Sequence, residues 1–314
     1  MQAVILAAGM GTRLRPVTKN RSKAMAPVLG RPLVERALMP FFENGVRDFV
    51  FVVSAEDAEI RQYIGGLTGV DMTVRYVIQH ERLGMAHALG LAAPYLDGSF
   101  ALSSCDSLVG RTHVRELLAA ARATEASLSL LDVDPGSVSR SAVVELDGYR
   151  VRRIIEKPAP EEAPSHTISL PHYVFSPRVL DLLPALKPSP RGEYELQDAI
   201  QGLIDGGGDV IGVRAAERLQ VSTPEDLLSL TLRLFADDPY MREVQSTDVG
   251  HGTRLRAPYR VERGVVIGNN CEIGPGVFLE NGCQICDGAV IRRSVVLRGG
   301  RVGEGETVDH QVVT

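Results

Sequence analysis

Short apolar runs alternate with amphipathic stretches through the first part of the chain. The apolar runs lie at 3–8, 49–53, 74–78 and 100–102, and the helix-like stretches lie at 32–43, 56–64, 85–95 and 112–124. Continuous apolar runs of this length are typical of strands that are buried on both faces. Their alternation with helices predicts an α/β fold, a doubly wound, mixed but mostly parallel sheet with helices on both sides.

The pattern changes after residue 141. The stretch "AVVELDGYRVRRIIEKP" places Asp147 and Gly148 between two apolar segments, which predicts a β-hairpin. Helical periodicity returns at 176–186, 195–205 and 224–236, with a strand-like segment from Asp209 between the last two. We therefore expect a β-rich insert followed by further α/β structure.

A repeat with a period of six residues begins near residue 257. Its aliphatic positions are Val261, Ile267, Ile273, Leu279, Ile285, Ile291 and Leu297, and two places before them stand Tyr259, Val265, Cys271, Val277, Cys283, Ala289 and Val295. This period is typical of a β-helix. The sequence thus predicts a large α/β domain at 1–237, a linker at 238–256 and a short left-handed β-helix at 257–314. So small a core favours packing against the large domain or association into a homo-oligomer.

The overall charge excludes several classes of partner. The chain has 314 residues, with 34 Lys and Arg against 39 Asp and Glu and a formal net charge of -5. No global basic surface suits nucleic acid or an anionic membrane, so an anion site must be local. No apolar run is long enough to span a bilayer, and Met1 leads directly into a strand-like segment without a basic leader. These features favour a cytoplasmic protein.

The four cysteines do not indicate a disulfide framework in a chain of this length. Cys283 and Cys286 have the spacing of half a zinc site, but no second pair stands at a suitable distance. Cys271 and Cys283 fall on the inner positions of the six-residue repeat. We therefore interpret these two cysteines as small apolar fillers of the β-helix.

The first apolar run ends in a glycine-rich loop, "LAAGMGTRLRPVT". Glycines let backbone N–H groups approach an anion closely, so Gly9-x-Gly11-Thr12-Arg13 after a buried strand is a candidate phosphate cradle. The spacing matches neither a dinucleotide fingerprint nor a P-loop. Taken alone, the loop is equally compatible with a glycine turn that carries surface arginines.

Further motifs follow this loop in order. They are Lys23, "APVLGRPLVERAL", "QHERLGMAHAL" at 79–89, Asp106, "IIEKP" at 154–158, "RGEYELQDAI" at 191–200 and "STPEDLL" at 222–228. Together they closely resemble the sugar-1-phosphate nucleotidylyltransferases, which join an NTP to a sugar 1-phosphate and release pyrophosphate. Several branches of that family also carry a hexapeptide tail, so the resemblance covers nearly the whole chain.

The resemblance implies a role for each matched position. It implies catalytic Arg13, Lys23 and Asp106, with Mg²⁺ on Asp106 and on Gln220, which aligns with the family's second metal aspartate. The implied nucleotide-binding residues are Leu6, Ala8, Gly9, Gly11, Thr12, Gln79 and Gly84, and the implied sugar-binding pair is Glu156 and Lys157. The implied partners are an NTP and a sugar 1-phosphate.

These residue types suit the chemistry. A phosphate monoester is already a charged nucleophile, so attack on the α-phosphorus needs positioning and charge neutralisation rather than an activated Ser, Cys or His. Arg13 could grip pyrophosphate oxygens, and Lys23 could supply a mobile positive charge. For Asp106, capping of the next element is the alternative to binding Mg²⁺.

Base and sugar recognition leave alternatives open. The Gln79 amide can donate to and accept from a pyrimidine edge, and Gly84 would let the base lie close to the backbone, which favours UTP or dTTP. Alternatively, Gln79 closes a strand end. His87 is expected to pack rather than to react. Glu156 and Lys157 could contact the sugar and its phosphate, or form an exposed strand end.

The sugar half departs from the family pattern. Cys105 stands in place of a glycine, Ser141-Ala142 in place of Tyr-Gly, "LPHY" with Pro171 in place of Ala-Gly-Ile-Tyr, and Gln220 in place of an aspartate. Three hypotheses follow: an active enzyme with an altered sugar pocket, which we favour; an impaired, NTP-binding regulatory homologue; or a cytidylyltransferase for a non-sugar phosphomonoester. The sequence does not distinguish UTP from dTTP or name the sugar.

Overall fold

The computed structural model describes residues 1–69, 71–245 and 247–314, which form two compact units. The first unit comprises Met1–Gly9 and Leu33–Gln220, and the second comprises Met10–Pro32 and Val221–Thr314. The glycine-rich loop after Gly9 therefore belongs to the same unit as the C-terminal part of the chain. The division at 237 and 257 remains a prediction from the sequence.

The helices in chain order are α1 Leu33–Glu43, α2 Ala58–Gly65, α3 Met85–Ala92, α4 Arg111–Ala120, α5 Arg178–Leu182, α6 Leu196–Asp205 and α7 Pro224–Asp237. The strands are β1 Gln2–Leu6, β2 Pro27–Val28, β3 Arg31–Pro32, β4 Asp48–Val53, β5 Thr73–Ile78, β6 Phe100–Ser104, β7 Ser107–Leu108, β8 Ala126–Asp132, β9 Ala142–Asp147, β10 Arg150–Glu156, β11 Thr167–Phe175, β12 Val210–Arg214, β13 Leu219–Gln220, β14 Arg242–Val244, β15 Arg254–Leu255, β16 Tyr259–Val261, β17 Val266–Ile267, β18 Glu272–Ile273, β19 Val277–Leu279, β20 Gln284–Ile285, β21 Val290–Arg292, β22 Ser294–Val296, β23 Arg301–Val302, β24 Thr307–Asp309 and β25 Val312–Val313. No helix among these residues is long and apolar enough to cross a membrane.

The first unit is built on a nine-stranded sheet in the order β5-β4-β1-β6-β11-β8-β12-β10-β9. Strands β5, β4, β1 and β6 are parallel, and β12 is parallel to β8, whereas β11 is antiparallel to both β6 and β8. The expected mixed α/β sheet is thus confirmed. The carboxyl ends of β1, β4, β5 and β6 share one edge, which is where open α/β sheets bind ligands.

Local sequence explains several elements of this unit. Helix α1 buries Leu33, Val34, Ala37, Leu38 and Phe41, a spacing that places them on one face. The expected hairpin is also present: β9 and β10 pair antiparallel, with Gly148 at φ +63° in the turn. Glycine suits this position because it adopts a left-handed conformation without a Cβ clash.

In the second unit, the start of helix α7 is fixed by a capping box. The Thr223 hydroxyl accepts from Asp226 N–H at 3.2 Å, and the Asp226 carboxylate accepts from Thr223 N–H at 2.9 Å. Pro224 occupies the first turn, where a missing N–H costs nothing. The "STPEDLL" motif therefore specifies a helix start.

The repeats of the second unit form a parallel β-helix. Its three faces are the sheets β14-β16-β19-β22-β25, β15-β18-β21-β24 and β17-β20-β23, with parallel pairing between neighbours. The interior is a column of fully or almost fully buried side chains that includes Cys271 and Cys283, as expected. The coils begin at β14, within the segment that the sequence analysis assigned to a linker.

One part of the predicted repeat is wrong. Leu279 pairs with Val296, and Val296, not Leu297, continues the inner column. The coil from Val277 to its partner Ser294 is one residue shorter than the coil from Tyr259 to Val277. The shortening falls at the corner beside Arg293, which adopts φ +43°. A strict period of six cannot detect this change of register.

Candidate active site

Strand β1 leads to the first half of the glycine-rich loop. Leu6 ends the strand; the Ala7 N–H donates to Val52 O at 2.8 Å, and the Ala8 carbonyl accepts from Arg82 Nε, also at 2.8 Å. Ala7 and Ala8 are buried, whereas Gly9 is exposed. The chain is therefore firmly held up to Ala8 and emerges at the carboxyl edge of the sheet.

The second half of the loop folds tightly around Gly11, which has φ +63°. A Cβ at Gly11 would lie 2.8 Å from Lys23 Cβ and 3.0 Å from Thr18 Cγ2, so only glycine fits. The Thr18 hydroxyl donates to Gly11 O at 2.8 Å. Lys23, itself 8% exposed, thus has its stem against the glycine loop.

Thr12 and Arg13 lie on a short 3-10 turn that continues this loop. Leu14 is fully buried and anchors the turn, whereas Thr12 and Arg13 are exposed. The Arg13 guanidinium therefore projects from a fixed backbone. An exposed guanidinium on an anchored turn can offer its planar fork to a phosphate.

Asp106 follows the carboxyl end of β6. The Ser104 hydroxyl donates to the Asp106 carboxylate, and the N–H of the intervening Cys105 donates to Leu6 O at 3.1 Å. Cys105 is buried at 3% exposure, whereas Asp106 is partly exposed. The turn between β6 and β7 is therefore held on β1 and presents the carboxylate at the sheet edge.

Gln220 lies beside this turn. In the two-stranded ladder of β7 and β13, Gln220 pairs with Ser107, the residue after Asp106. No group of three or more His, Cys, Asp or Glu among the described residues could hold a metal. Mg²⁺ usually takes one or two carboxylates and completes its octahedron with water and substrate phosphates. A single carboxylate, with Gln220 on the strand paired beside it, fits that pattern.

His172 supports the same turn, a role that was not expected from the sequence. Its Nδ1 lies 2.9 Å from Ser103 Oγ and its Nε2 lies 3.1 Å from Ser107 Oγ. Burial lowers the His172 pKa to about 3, an effect that nearby His113 reinforces and Asp106 opposes. The imidazole is therefore neutral and bridges the two serines that flank the Asp106 turn. A histidine in the apolar strand "TISLPHYVF" was the signal that could have revealed it.

Gln79 follows the carboxyl end of β5, and its side chain is oriented by its neighbours. Its N–H donates to Val53 O at 2.8 Å, and its amide Nε2 lies 3.1 Å from His87 Nδ1 and 3.4 Å from Gly84 O. At 6% exposure the amide has little freedom. His87, expected to pack, thus also fixes the direction in which Gln79 presents its oxygen.

Gly84 precedes α3 with φ +101°. A Cβ there would lie 2.5 Å from Tyr194 O and 2.9 Å from Tyr194 N. The Tyr194 N–H donates to Leu83 O at 2.7 Å, and the Ala86 N–H donates to Tyr194 O at 3.1 Å. The close backbone contact with Tyr194 is therefore sufficient to require glycine, whatever lies on its other side.

Glu156 and Lys157 form part of a charged cluster at the end of β10. Lys157 Nζ lies 3.2 Å from Glu156 Oε1, while Arg191 Nη2 lies 3.7 Å from the same oxygen and 2.8 Å from Glu195 Oε1. Burial raises the pKa of Glu156 above its usual range, although Lys157 and Arg191 oppose this effect. The cluster can offer a carboxylate to hydroxyl groups and cations to a phosphate.

The sheet brings most of these groups to one edge. The parallel strands β1, β5 and β6 end at or just before Leu6, Ala8, Gln79 and Asp106. Glu156 pairs with Ala142 on β9, and Ala142 pairs with Ser169 on β11. Ser169 lies beyond the carboxyl end of β6, so these pairings place Glu156 at the same edge of the sheet. Gly11, Thr12, Arg13 and Lys23 belong to the second unit. The structure thus assembles each half of the predicted site within its own unit.

Comparisons with known proteins agree with this fold. Residues 2–230 match the family model described as nucleotidyl transferase, and residues 264–299 match the bacterial transferase hexapeptide model of six repeats. Two solved structures, UDP-glucose pyrophosphorylase complexed with UDP-glucose and the UTP-bound enzyme from Acinetobacter baumannii, each give a TM-score of 0.69, at 20% and 22% identity. The first alignment covers 75% of this chain and 98% of that chain, and the second covers 76% and 94%. These structures support the fold.

Curated relatives give closer sequence matches. The UTP–glucose-1-phosphate uridylyltransferase AglF of Haloferax volcanii is 34% identical over 72% of this chain and 93% of its own length. The bifunctional protein GlmU of Methanococcus maripaludis is 35% identical over 66% of this chain but only 48% of its own length. A glucose-1-phosphate thymidylyltransferase of Streptomyces griseus is 35% identical over 67% of this chain and 59% of that protein. From its N-terminal strand to helix α7, this chain belongs to the nucleotidyl transferase family.

Proposed function

We propose that the protein transfers a nucleotidyl group from UTP or dTTP to a sugar 1-phosphate and releases pyrophosphate. The observation that supports this most directly is the shared edge at which an oriented glutamine amide, an aspartate and a Glu-Lys pair meet. At this edge, the base and phosphates of an NTP and the sugar of a sugar 1-phosphate each have a matching partner. The names of AglF and the thymidylyltransferase agree with this reaction class.

Each group has a distinct task in the proposed mechanism. Gln79 accepts from the N–H of the pyrimidine edge through its amide oxygen, since His87 and Gly84 O hold its amide nitrogen. Arg13 and the loop N–H groups hold the departing pyrophosphate, and Lys23 neutralises charge that develops near the α-phosphate. Glu156 accepts hydroxyl groups of the sugar, and Lys157 holds its phosphate so that an oxygen faces the α-phosphorus in line.

Asp106 and Gln220 are the residues that would hold Mg²⁺. When bound, the ion would neutralise phosphate charge and align the reacting groups. The Ser104 hydroxyl and the His172 bridge keep the Asp106 turn in one conformation before the substrate arrives. We further propose that the β-helix joins chains into a homo-oligomer.

The test is pyrophosphate release from UTP, dTTP, CTP, GTP and ATP against a panel of sugar 1-phosphates, with and without Mg²⁺. Release from one pyrimidine triphosphate with one sugar is expected. Arg13→Ala should lower kcat by about 10²- to 10³-fold, as for the loss of one preorganised charge-stabilising donor. Lys19→Ala, an exposed cation of the same loop, serves as the control. Binding of an NTP without release would support the regulatory alternative, and release only with a non-sugar phosphomonoester would support the cytidylyltransferase.

A second test addresses the metal. Gln220→Asp adds a carboxylate opposite Ser107 and should reduce the Mg²⁺ concentration needed for half-maximal rate. An unchanged Mg²⁺ requirement would exclude Gln220 from the metal site.

A further inference from the structure

The segment 10–32 joins the C-terminal residues in one compact unit. This segment contains Gly11, Arg13 and Lys23, to which the proposed function assigns the triphosphate. Any contact that fixes this segment therefore also fixes those phosphate ligands.

One such contact is a buried ion pair between Arg21 and Glu280. Arg21 Nη1 donates to Glu280 Oε1 at 2.6 Å, and Nη2 donates to Oε2 at 2.9 Å. The two side chains are 5% and 11% exposed. A bidentate guanidinium–carboxylate pair fixes orientation as well as distance, and burial protects it from screening by salt.

Glu280 is itself held rigidly by the β-helix. Its N–H donates to Val296 O at 2.8 Å, and its Oε2 accepts from the Arg298 N–H at 2.7 Å. The carboxylate that receives Arg21 is thus fixed by backbone groups of the next coil. Removing either partner would leave an uncompensated buried charge.

A second contact lies after Lys23 in the sequence, whereas Arg21 lies before it. Gly30, at φ +72°, is in the turn between β2 and β3. A Cβ there would lie 2.6 Å from Glu262 Oε1 and 2.7 Å from Arg260 Nε. Glu262 Oε2 in turn accepts from the Asn281 N–H, next to Glu280, at 3.0 Å. The turn therefore packs closely on the same region of the β-helix.

We propose that the Arg21–Glu280 pair anchors the segment 10–32 to the β-helix and thereby positions the phosphate loop and Lys23. Lys23 lies between the two contacts, in a turn closed by the Ala26 N–H donating to Lys23 O at 3.1 Å. Arg21 and Glu280 are positioning residues, since they act through Lys23 and the loop. This inference rests on the proposed function for the identity of the bound phosphates, but not for the contacts themselves.

A double-mutant cycle tests the pair. Arg21→Gln and Glu280→Gln should each lower kcat by about tenfold to a hundredfold, the range expected when a reacting group is misplaced by about 1 Å. The double variant should lose no more than the worse single variant, because the two residues act as one unit. Arg21→Lys keeps the charge without the fork and should lose less. The KM for the sugar 1-phosphate should stay near the wild-type value, because Glu156 and Lys157 lie in the other unit.

The control pair is Arg293 and Asp309, an exposed ion pair of the same β-helix. Arg293→Gln and Asp309→Asn should leave kcat unchanged. Thermal melting of every variant separates misplacement from unfolding: a folded Arg21→Lys or Glu280→Gln protein with wild-type kcat would overturn the proposal.

Hydrogen exchange distinguishes this proposal from the proposed function. Glu280→Gln should speed amide exchange within 11–26 at least tenfold, whereas Asp309→Asn should not. If the wild-type protein released no pyrophosphate from any substrate pair, the proposed function would fail, but the exchange result would still decide whether the pair holds the loop. Unchanged exchange in Glu280→Gln would overturn the positioning role even in an active enzyme.

Discussion

Two glycines near α3 offer a matched test of the loop geometry. Gly84 precedes the helix with φ +101° and ψ 177°, a region that essentially only glycine occupies. Gly90 lies inside the helix, is exposed, and a Cβ there would meet no atom within 4 Å. Gly84→Ala and Gly90→Ala therefore add the same methyl group, in the first case to a crowded site with a left-handed backbone and in the second to an open helical site.

The structure predicts opposite changes in the free energy of unfolding. At Gly84 the unfavourable backbone region costs about 1 to 3 kcal/mol, and a Cβ 2.5 Å from Tyr194 O adds about 1 to 3 kcal/mol of overpacking. Gly84→Ala should thus destabilise the protein by about 2 to 6 kcal/mol. Gly90→Ala should stabilise it by about 0.5 to 1 kcal/mol, because alanine is the better helix former.

Urea unfolding followed by circular dichroism measures both changes, and equal m-values would show that the unfolding transition is the same. Gly84→Ala within about 0.5 kcal/mol of the wild type would refute the close contact with Tyr194. If stability were kept and only the KM for the NTP rose, Gly84 would face the nucleotide and not Tyr194.

Three further outcomes are expected. His172→Leu should destabilise the protein by about 1 to 3 kcal/mol for each serine hydroxyl left unpaired and should raise the Mg²⁺ requirement of turnover, whereas a purely structural role would leave that requirement unchanged. Because burial raises the pKa of Glu156 above its usual range and its ionised form accepts sugar hydroxyls, kcat/KM for the sugar 1-phosphate should increase with pH over a range above that of an ordinary glutamate; Glu156→Gln should remove this dependence, and an unchanged profile would exclude Glu156. In the native protein a thiol reagent should react rapidly with Cys286 alone, because the other three cysteines are buried and burial raises the pKa of Cys283 to about 12; rapid reaction of Cys271 or Cys283 would contradict the buried column.

The sequence predicted those parts of the fold that depend on local periodicity. Helix α1, the β9–β10 hairpin and the coils of the β-helix all follow from spacing within a few residues. The structure adds that Gln79 and Asp106 lie at one edge, because β5 and β6 belong to the same run of parallel strands. The shortened coil at Arg293 escaped prediction because a corner that is one residue shorter shifts the register without changing the kinds of residue in the repeat.

Contacts between distant segments could not be predicted in this way. The Arg21–Glu280 pair joins residues 259 positions apart, and neither residue stands out in its own neighbourhood. The His172 bridge likewise depends on the register in which β11 meets β6. Both contacts depend on the tertiary arrangement, which no local pattern in the sequence predicts.

The stacked coils also bear on how the chain can change in length during evolution. In a solenoid each coil contacts only the coils before and after it, so a whole coil can be gained or lost without disturbing the rest. In this protein, the tolerance for an added coil differs between the two ends of the β-helix. Coils beyond Arg298 could be duplicated while Glu280 keeps its place, whereas a coil inserted between α7 and Glu280 would carry the carboxylate one layer away from Arg21. Growth of this tail is therefore compatible with the Arg21 contact only at the C-terminal end.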